Sequence, residues 1–231
     1  MSNNFPVTIP VPTVVSSTLV SNENQNQNEN ENKRKKDLVE YAYVAYAFGF
    51  VPIPLRDKIP VIKGWPDLRN NPAEDQRDIS MGLLPKNVRR IKDLIEANQA
   101  NNIGIVTGEA SNVVVLDLDF PEGVNIWYRW LQIYGEIPDT FTVKTGSGGL
   151  HIYFRYTPQT AMLRNLNRIQ KSPIDFRTNG GQIIFPGSIN TKTGQPYLVQ
   201  SGYDGQYPTI AEMPNWLFQI LLADQQSKPR R

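Results

Sequence analysis

Three short segments of the chain alternate between apolar and polar side chains, and this alternation limits the possible folds more than any other feature. The segments lie at 113–118, 150–155 and 174–177 and read VVVLDL, LHIYFR and IDFR. Successive side chains of a β-strand point to opposite faces, so each segment predicts a strand with one apolar and one polar face. If the three strands are neighbours, they form a single sheet with helices on one face and a polar site on the other.

Apolar spacing elsewhere predicts the remaining elements and the fold class. Helical patterns begin near Asp37, Val88, Trp127 and Pro214, and apolar runs predict strands at 51–55, 103–106, 141–144 and 182–185. The segment 179–181, Asn-Gly-Gly, predicts a hairpin between the strands at 174–177 and 182–185. Because helices and strands mix irregularly rather than alternating, we expect an α+β fold and not a doubly wound parallel sheet.

A polar stretch divides the chain into a tail and a folded domain. Residues 21–32 read SNENQNQNENEN and contain no apolar side chain, so they cannot bury surface to offset the entropy of ordering. We therefore predict a disordered tail with a polar linker at 1–36, a catalytic domain at 37–224 and a basic tail at 225–231. The basic run 33–36 is either a solvated linker edge or an arm that touches nucleic acid.

Composition excludes several classes of site. The chain has no Cys and one His, which excludes disulfides, iron–sulfur clusters, a thiol nucleophile and a tetrahedral structural zinc. Any metal must be held by oxygen ligands. The formal net charge of +2 excludes binding of nucleic acid through bulk positive charge alone, although a local basic groove stays possible. The sequence shows no signal peptide and no run long enough to cross a bilayer, so we expect a cytoplasmic protein.

Carboxylates dominate the predicted polar face. Asp117 and Asp119 project from the same side of one strand, and Asp175 has the matching phase in another. Like charges at close range raise one another's pKa unless a cation neutralises them. Oxygen ligands alone favour Mg²⁺ or Mn²⁺, which commonly arrive with substrate phosphates. The alternative for an Asp-x-Asp pair is two solvent-facing acids at a strand end, but the phase of Asp175 favours the metal site.

A glycine-rich turn, TGSGG at 145–149, precedes His151. Its backbone N–H groups could face an anion such as a triphosphate, or the glycines could serve only a tight turn. His151 falls on the polar face just after the turn, where its ring could donate to a phosphate oxygen. Upstream, KIPVIKGW supplies Lys58, Lys63 and Trp65, and the Trp is either a surface for stacking a base or a plug in the core.

The segments NNIGIVTGEASNVVVLDLDF, VKTGSGGLHIYFR and IDFRTNGGQIIFPGS, taken in order with KIPVIKGW upstream, closely resemble a known family. This family is the bifunctional primase-polymerase domain of the archaeo-eukaryotic primase superfamily, found on plasmids, viruses and prophages, and the resemblance covers about 37–197. It implies a catalytic core with an RRM-like sheet, Asp117 and Asp119 as metal ligands, and Asp175 as a third acid. It also implies contact between the incoming nucleotide and Ser147 and His151.

The activity implied by the resemblance is template-directed nucleotidyl transfer on DNA, by primer synthesis, DNA polymerisation or both, through two Mg²⁺ or Mn²⁺ ions. The expected partners are single-stranded DNA, NTPs or dNTPs, and a replicative helicase acting in trans or lost from the chain. The zinc-binding insert of some relatives is missing, which puts zinc-assisted template binding in doubt. The candidates for holding the triphosphate or the template backbone are Gly148, Gly149, Lys63, Arg155 and Arg177.

Two other functions remain open at this level. A haloacid-dehalogenase-like phosphatase also begins with an apolar run into Asp-x-Asp, but it would need a later Lys and a closely spaced acid pair at a strand end, and nothing after residue 175 supplies that pair. A non-catalytic single-strand-binding initiator module would need aromatic residues on the open sheet face, where only Tyr153 fits.

Overall fold

The computed structural model describes residues 23–228 of the chain. The helices are α1 Glu23–Ala47, α2 Pro72–Ser80, α3 Lys86–Glu96, α4 Glu122–Tyr134 and α5 Asn215–Ser227. The strands are β1 Val51–Arg56, β2 Ile59–Pro60, β3 Asn102–Val106, β4 Val113–Leu118, β5 Thr142–Lys144, β6 Leu150–Arg155, β7 Ile174–Arg177, β8 Gln182–Ile184 and β9 Leu198–Ser201. Across these residues, no helix combines the length and the hydropathy needed to cross a bilayer.

The first helix begins earlier than the sequence predicts. Its C-terminal half buries Leu38, Ala42 and Ala45 as expected, and Gly49, at φ +82°, follows its end. However, α1 starts at Glu23, so residues 23–36 are helical where we predicted a disordered linker. Once a helix is anchored by packing, each added residue contributes a backbone hydrogen bond without needing an apolar side chain. The predicted tail at 1–22 lies outside the described residues.

Contacts at both ends of the predicted catalytic domain extend its ordered part. Arg34, in the basic run of the predicted linker, donates a hydrogen bond to the carbonyl of Asn101 at 3.1 Å. At the other end α5 continues to Ser227, three residues into the predicted basic tail. The domain boundaries themselves stay a prediction.

The strands form two antiparallel sheets, in agreement with the predicted α+β class. The four-stranded sheet has the order β2-β1-β3-β8, and the five-stranded sheet has the order β7-β4-β6-β5-β9. The three alternating strands are neighbours as predicted, because β4 pairs with β6 on one side and with β7 on the other.

The predicted hairpin between β7 and β8 is wrong, because these strands belong to different sheets. β7 pairs with β4 in one sheet, and β8 pairs with β3 in the other. The Asn-Gly-Gly turn does form, with Gly180 at φ +72° and the N–H of Gly181 donating to the carbonyl of Thr178 at 2.8 Å. Thr107, just after β3, makes two hydrogen bonds to this turn. Its N–H donates to the carbonyl of Gly181, and its hydroxyl donates to the carbonyl of Thr178. The chain therefore crosses between the sheets instead of folding back.

A separate hydrophobic core lies on each face of the five-stranded sheet. Val114, Leu116 and Leu118 of β4 face the core formed with α4 and α5. Val113 and Val115 face the core shared with the four-stranded sheet, α1 and α3. The expectation of one sheet with a fully open polar face is therefore wrong, because the second sheet covers most of that face. Tyr153, predicted on the open face, is 0% exposed in this core.

Candidate active site

The three acids and the histidine converge at one end of the five-stranded sheet. Asp117, near the end of β4, lies directly opposite His151 of β6 and opposite Asp175 of β7. Residues directly opposite in an antiparallel pair share a face and lie close together, which explains why three distant segments meet here. Asp119 follows β4 by one residue. The convergence predicted from strand alternation is confirmed for these four residues.

A cavity of about 250 Å³ opens beside these acids, between the two sheets. Asp117, Asp119 and His151 line one side, and Ile183 and Ile184 of β8 line another. The cavity therefore needs both sheets to be in place.

Burial and neighbouring carboxylates raise the pKa of two of the acids, Asp117 and Asp119. The Asp117 side chain is 27% exposed, and burial raises its pKa to about 6, with Asp175 adding to the rise and Arg177 and Lys58 opposing it. The pKa of Asp119 is also raised, by burial first and then by the charges of Asp117 and Asp175. The ionised forms of these two carboxylates are therefore disfavoured, and a bound cation would stabilise them.

His151 is a neutral donor or acceptor at physiological pH. Its ring is 4% exposed, and burial lowers its pKa to about 3, with the positive charge of Lys58 acting in the same direction. Its Nε2 lies 3.5 Å from Oδ1 of Asp117, and Nδ1 is buried with no hydrogen-bond partner among the described residues. The ring of Tyr197 lies against it at a centroid distance of 5.7 Å.

Asp175 is engaged by hydrogen bonds on both oxygens. Oδ2 accepts from the guanidinium of Arg177 at 2.6 Å, and Oδ1 accepts from the backbone N–H of Arg168 at 2.8 Å. Arg177 also donates to Oδ1 of Asn167 at 2.7 Å while lining the cavity. Arg177 therefore combines a structural ion pair with a position at the candidate site.

The loop that presents the Arg168 N–H is held by the last turn of α5. Arg168, Gln170 and Lys171 have φ of +51°, +51° and +63°, a strained region for residues other than glycine. Buried Asp224 accepts from the N–H of Gln170 at 2.8 Å and from Nζ of Lys228 at 2.6 Å. The orientation of Asp175 thus depends on side chains about fifty residues further along the chain.

The glycine-rich turn differs from the expectation of an open anion cradle. The N–H of Gly148 donates to the carbonyl of Thr145, and that of Gly149 donates to the hydroxyl of the same Thr145, both at 2.9 Å. A Cβ on Gly149 would lie 2.2 Å from the carbonyl oxygen of Leu118, so close packing on β4 requires glycine there. Thr145 and Ser147 of this turn line the cavity, with their hydroxyl oxygens 3.1 Å apart.

The structure separates the predicted basic candidates. Arg177 lines the cavity, whereas Lys63 is exposed outside it. Arg155 lies opposite Val113, at the other end of β6 from the acids, and donates to the carbonyl of Ile210. Lys58, in the turn between β1 and β2, lines the cavity instead, and its position at the tip of a short hairpin could have singled it out over Lys63.

Trp65 is partly buried and packs on the core between the sheets. This packing favours the core-plug interpretation of the residue.

The donors present at the site suit a hard divalent cation at two of the three acids. Among residues 23–228, no three His, Asp or Glu side chains have the arrangement of a preformed metal cluster. Asp117 and Asp119 line the same cavity, and the charge of Asp117 raises the pKa of Asp119, a cost that a bound cation removes. Asp175 could contribute only by exchanging its ion pair with Arg177.

Comparison with protein families adds one match. The model of the family described as bifunctional DNA primase/polymerase, N-terminal, matches residues 40–216. The matched range contains all three acids, the glycine-rich turn and His151. No curated protein matches the chain.

Proposed function

The chain belongs to the bifunctional DNA primase/polymerase family, and from this premise we propose that it catalyses template-directed nucleotidyl transfer on DNA, as a primase, a polymerase or both. One observation carries the proposal. Asp117 lies opposite both His151 and Asp175 in adjacent strands, beside a cavity that also contains Lys58 and Arg177. Acids that could hold cations next to basic groups that could hold phosphates are the arrangement phosphoryl transfer requires.

We place the metal ions on Asp117 and Asp119, with Asp175 as an auxiliary acid. When bound, Mg²⁺ or Mn²⁺ would neutralise charge on the triphosphate and favour ionisation of the attacking hydroxyl. Asp119 is the more exposed of the two acids, and Asp117 lies within β4, which is paired on both sides with neighbouring strands. The pair thereby combines an accessible oxygen ligand with a preorganised one.

The remaining residues would bind and orient the nucleotide. Lys58 and Arg177 supply positive charge from opposite sheets, which suits a triphosphate lying between them. Ser147 supplies a hydroxyl, and neutral His151 can donate one hydrogen bond to a phosphate oxygen without adding charge. Because the Gly148 and Gly149 N–H groups are used within the turn, these side chains take the role first expected of the backbone.

The two rival functions have little support from the site. A non-catalytic single-strand-binding module would use an aromatic open face, and its one candidate there, Tyr153, is buried in the core between the sheets. The phosphatase interpretation rests on the Asp-x-Asp pattern alone, whereas the family match spans residues 40–216. We further propose that the activity serves replication of a plasmid, virus or prophage in the cytoplasm, together with a replicative helicase.

A primer-free assay on single-stranded DNA, with labelled NTPs and dNTPs in separate reactions, tests the proposed activity. We expect Mg²⁺- or Mn²⁺-dependent incorporation by the unmodified chain and its loss, by about a thousandfold or more, in Asp117→Asn and Asp119→Asn. Asp139→Asn is the matched control, because it removes the same charge from an exposed residue outside the cavity. Full incorporation by the Asp117 and Asp119 variants, or none by the unmodified chain, would refute the proposal.

A further inference from the structure

A second depression, which we call the aromatic groove, lies on the other side of the glycine-rich turn from the acids. It has a volume of about 440 Å³ and is lined by Phe120, Tyr128 of α4, Lys144 at the end of β5 and Leu198 of β9. Phe120 is 59% exposed and Tyr128 is 52% exposed. Clustered exposure of large apolar side chains is costly in water and is typical of a binding surface.

The chemistry of the groove differs from that of the acid-lined cavity. Its lining contains two aromatic rings, aliphatic side chains, one amide and one cation, Lys144, and no acid. Nucleobases attached to a phosphate backbone match such a lining. Bases are flat and uncharged and stack on aromatic side chains regardless of sequence, while a Lys contacts the backbone phosphate. A free triphosphate matches it poorly, because a single cation faces the apolar walls.

The groove and the cavity share a wall. Lys144 and Gly148 line the groove, whereas Thr145 and Ser147, from the same turn, line the cavity. A Cβ on Gly148 would lie 3.2 Å from Cγ of Phe120, which shows that this ring packs against the turn. A strand that leaves the groove over the turn therefore arrives directly at the acids.

Phe120 also follows Asp119 directly in the chain. We propose that the aromatic groove binds single-stranded DNA, with bases stacked on Phe120 and Tyr128 and a backbone phosphate beside Lys144. The identity of the strand as DNA rests on the proposed function, and the groove then delivers the strand on which nucleotidyl transfer takes place. The groove is thus distinct from the nucleotide site and supplies the second substrate.

Binding without catalysis tests this proposal, using an oligothymidylate that carries one 2-aminopurine as the fluorescent base. We expect the unmodified chain to change the 2-aminopurine fluorescence on binding, and Tyr128→Ala and Phe120→Leu to bind at least about fivefold more weakly with the change reduced, because an aromatic stacking partner is lost. Tyr128→Phe keeps the ring and should bind normally. Ile133→Ala is the matched control, since Ile133 is 70% exposed on the same helix but outside the groove.

Further measurements separate the possible outcomes. Binding of Mn²⁺ and dNTP by calorimetry should be unchanged in Tyr128→Ala, because the aromatic groove lies outside the cavity. Unchanged oligonucleotide binding by both aromatic variants would overturn the groove proposal, even if the chain incorporates nucleotides. Groove-dependent binding by a chain that incorporates nothing would support the groove and sink the proposed function instead. Loss of self-association, rather than of DNA binding, in the aromatic variants would identify a second copy of the chain as the occupant and overturn the proposal.

Discussion

The two faces of the five-stranded sheet use alternate residues of the same strands, yet only one face holds chemically reactive groups. On the helix face, Val114, Leu116 and Leu118 are covered by α4 and α5 along the whole of β4. On the other face, Val113 and Val115 are covered by the second sheet, but Asp117 lies where that cover ends. A reactive site therefore lies at the edge of a buried interface, where burial raises the pKa of an acid but a ligand can still reach it.

The largest effect should come from the helix face. Leu116→Ala should lower the free energy of unfolding by about 2–5 kcal/mol, because the side chain is fully buried and the cavity left behind cannot close. Urea denaturation measures this loss. The folded fraction should keep its nucleotide affinity, and a loss of affinity without a loss of stability would contradict the separation of the two faces.

On the site face, a substitution should instead stabilise the protein. The pKa of Asp117 is about 6 when folded against 3.8 for the ordinary carboxyl group, so the folded state binds the extra proton and the wild type loses stability as pH rises from about 4 through 6. Asp117→Asn lacks this loss. In a metal-chelating buffer, the variant should therefore be more stable at pH 7, on the order of 1–3 kcal/mol.

Denaturation curves of both proteins at pH 7 and below pH 4 measure this effect. The advantage of the Asp117→Asn variant should disappear at the lower pH, where the carboxyl group is protonated in both states. Added Mn²⁺ should raise the melting temperature of the wild type more than that of the variant. A variant that is less stable than the wild type at pH 7 would show that Asp117 is not electrostatically strained.

His151→Ala should weaken dNTP binding about tenfold at pH 7, which corresponds to the loss of one hydrogen bond to a charged group, or about 1.5 kcal/mol. Calorimetric titration measures this loss of affinity.

The pKa of His151 in the folded state, about 3, lies below the ordinary 6.5, so the unfolded state binds more protons and wild-type stability falls as pH falls through this range. The variant should lose that part of the acid sensitivity, and a collapse of Mn²⁺ affinity would identify the ring as a metal ligand instead.

The smallest effect distinguishes two arginines on the same face. Arg177→Ala should make the dependence of log K on log salt for dNTP shallower, because the guanidinium lines the cavity and its attraction to the phosphates is screened by salt. Arg155→Ala should leave the slope unchanged, since Arg155 lies at the far end of β6. The Arg177–Asp175 pair is partly exposed, so its loss should cost about 1 kcal/mol or less of stability. Equal slopes for both variants would show that Arg177 does not contact a phosphate.

The face on which Asp117, His151 and Asp175 lie could be predicted because strand alternation has a fixed period of two and is set by local sequence. Their convergence also required the three strands to be neighbours, which could only be assumed from the sequence. The α+β class followed for the same reason, since helical and strand patterns are both local. The family resemblance was carried by the same short segments, and the match to residues 40–216 confirms it.

Other features depend on pairings between distant segments and could not be predicted. The residues at 179–181 are typical of a hairpin turn, but the strands on either side of it pair with β4 and β3 instead of with each other. Tyr153 is buried because another sheet covers it, which no pattern within 150–155 can indicate. Lys58 lies at the cavity because the turn between two strands of the other sheet brings it there. Arg155 lies away from the cavity because the pairing of β6 with β4 places it at the opposite end of the strand from the acids.

The placement of the cavity between two sheets has a consequence for the order of folding. The chain enters the four-stranded sheet with β1 to β3, leaves it for β4 to β7, and returns only with β8. Such long-range closure is slow compared with the formation of local turns and helices. Refolding should therefore restore far-ultraviolet circular dichroism before nucleotide binding. In a chain whose two sheets have formed but have not yet packed together, Asp117 would be exposed to water. Its pKa would then be that of an ordinary carboxyl group, and no cavity would lie beside it.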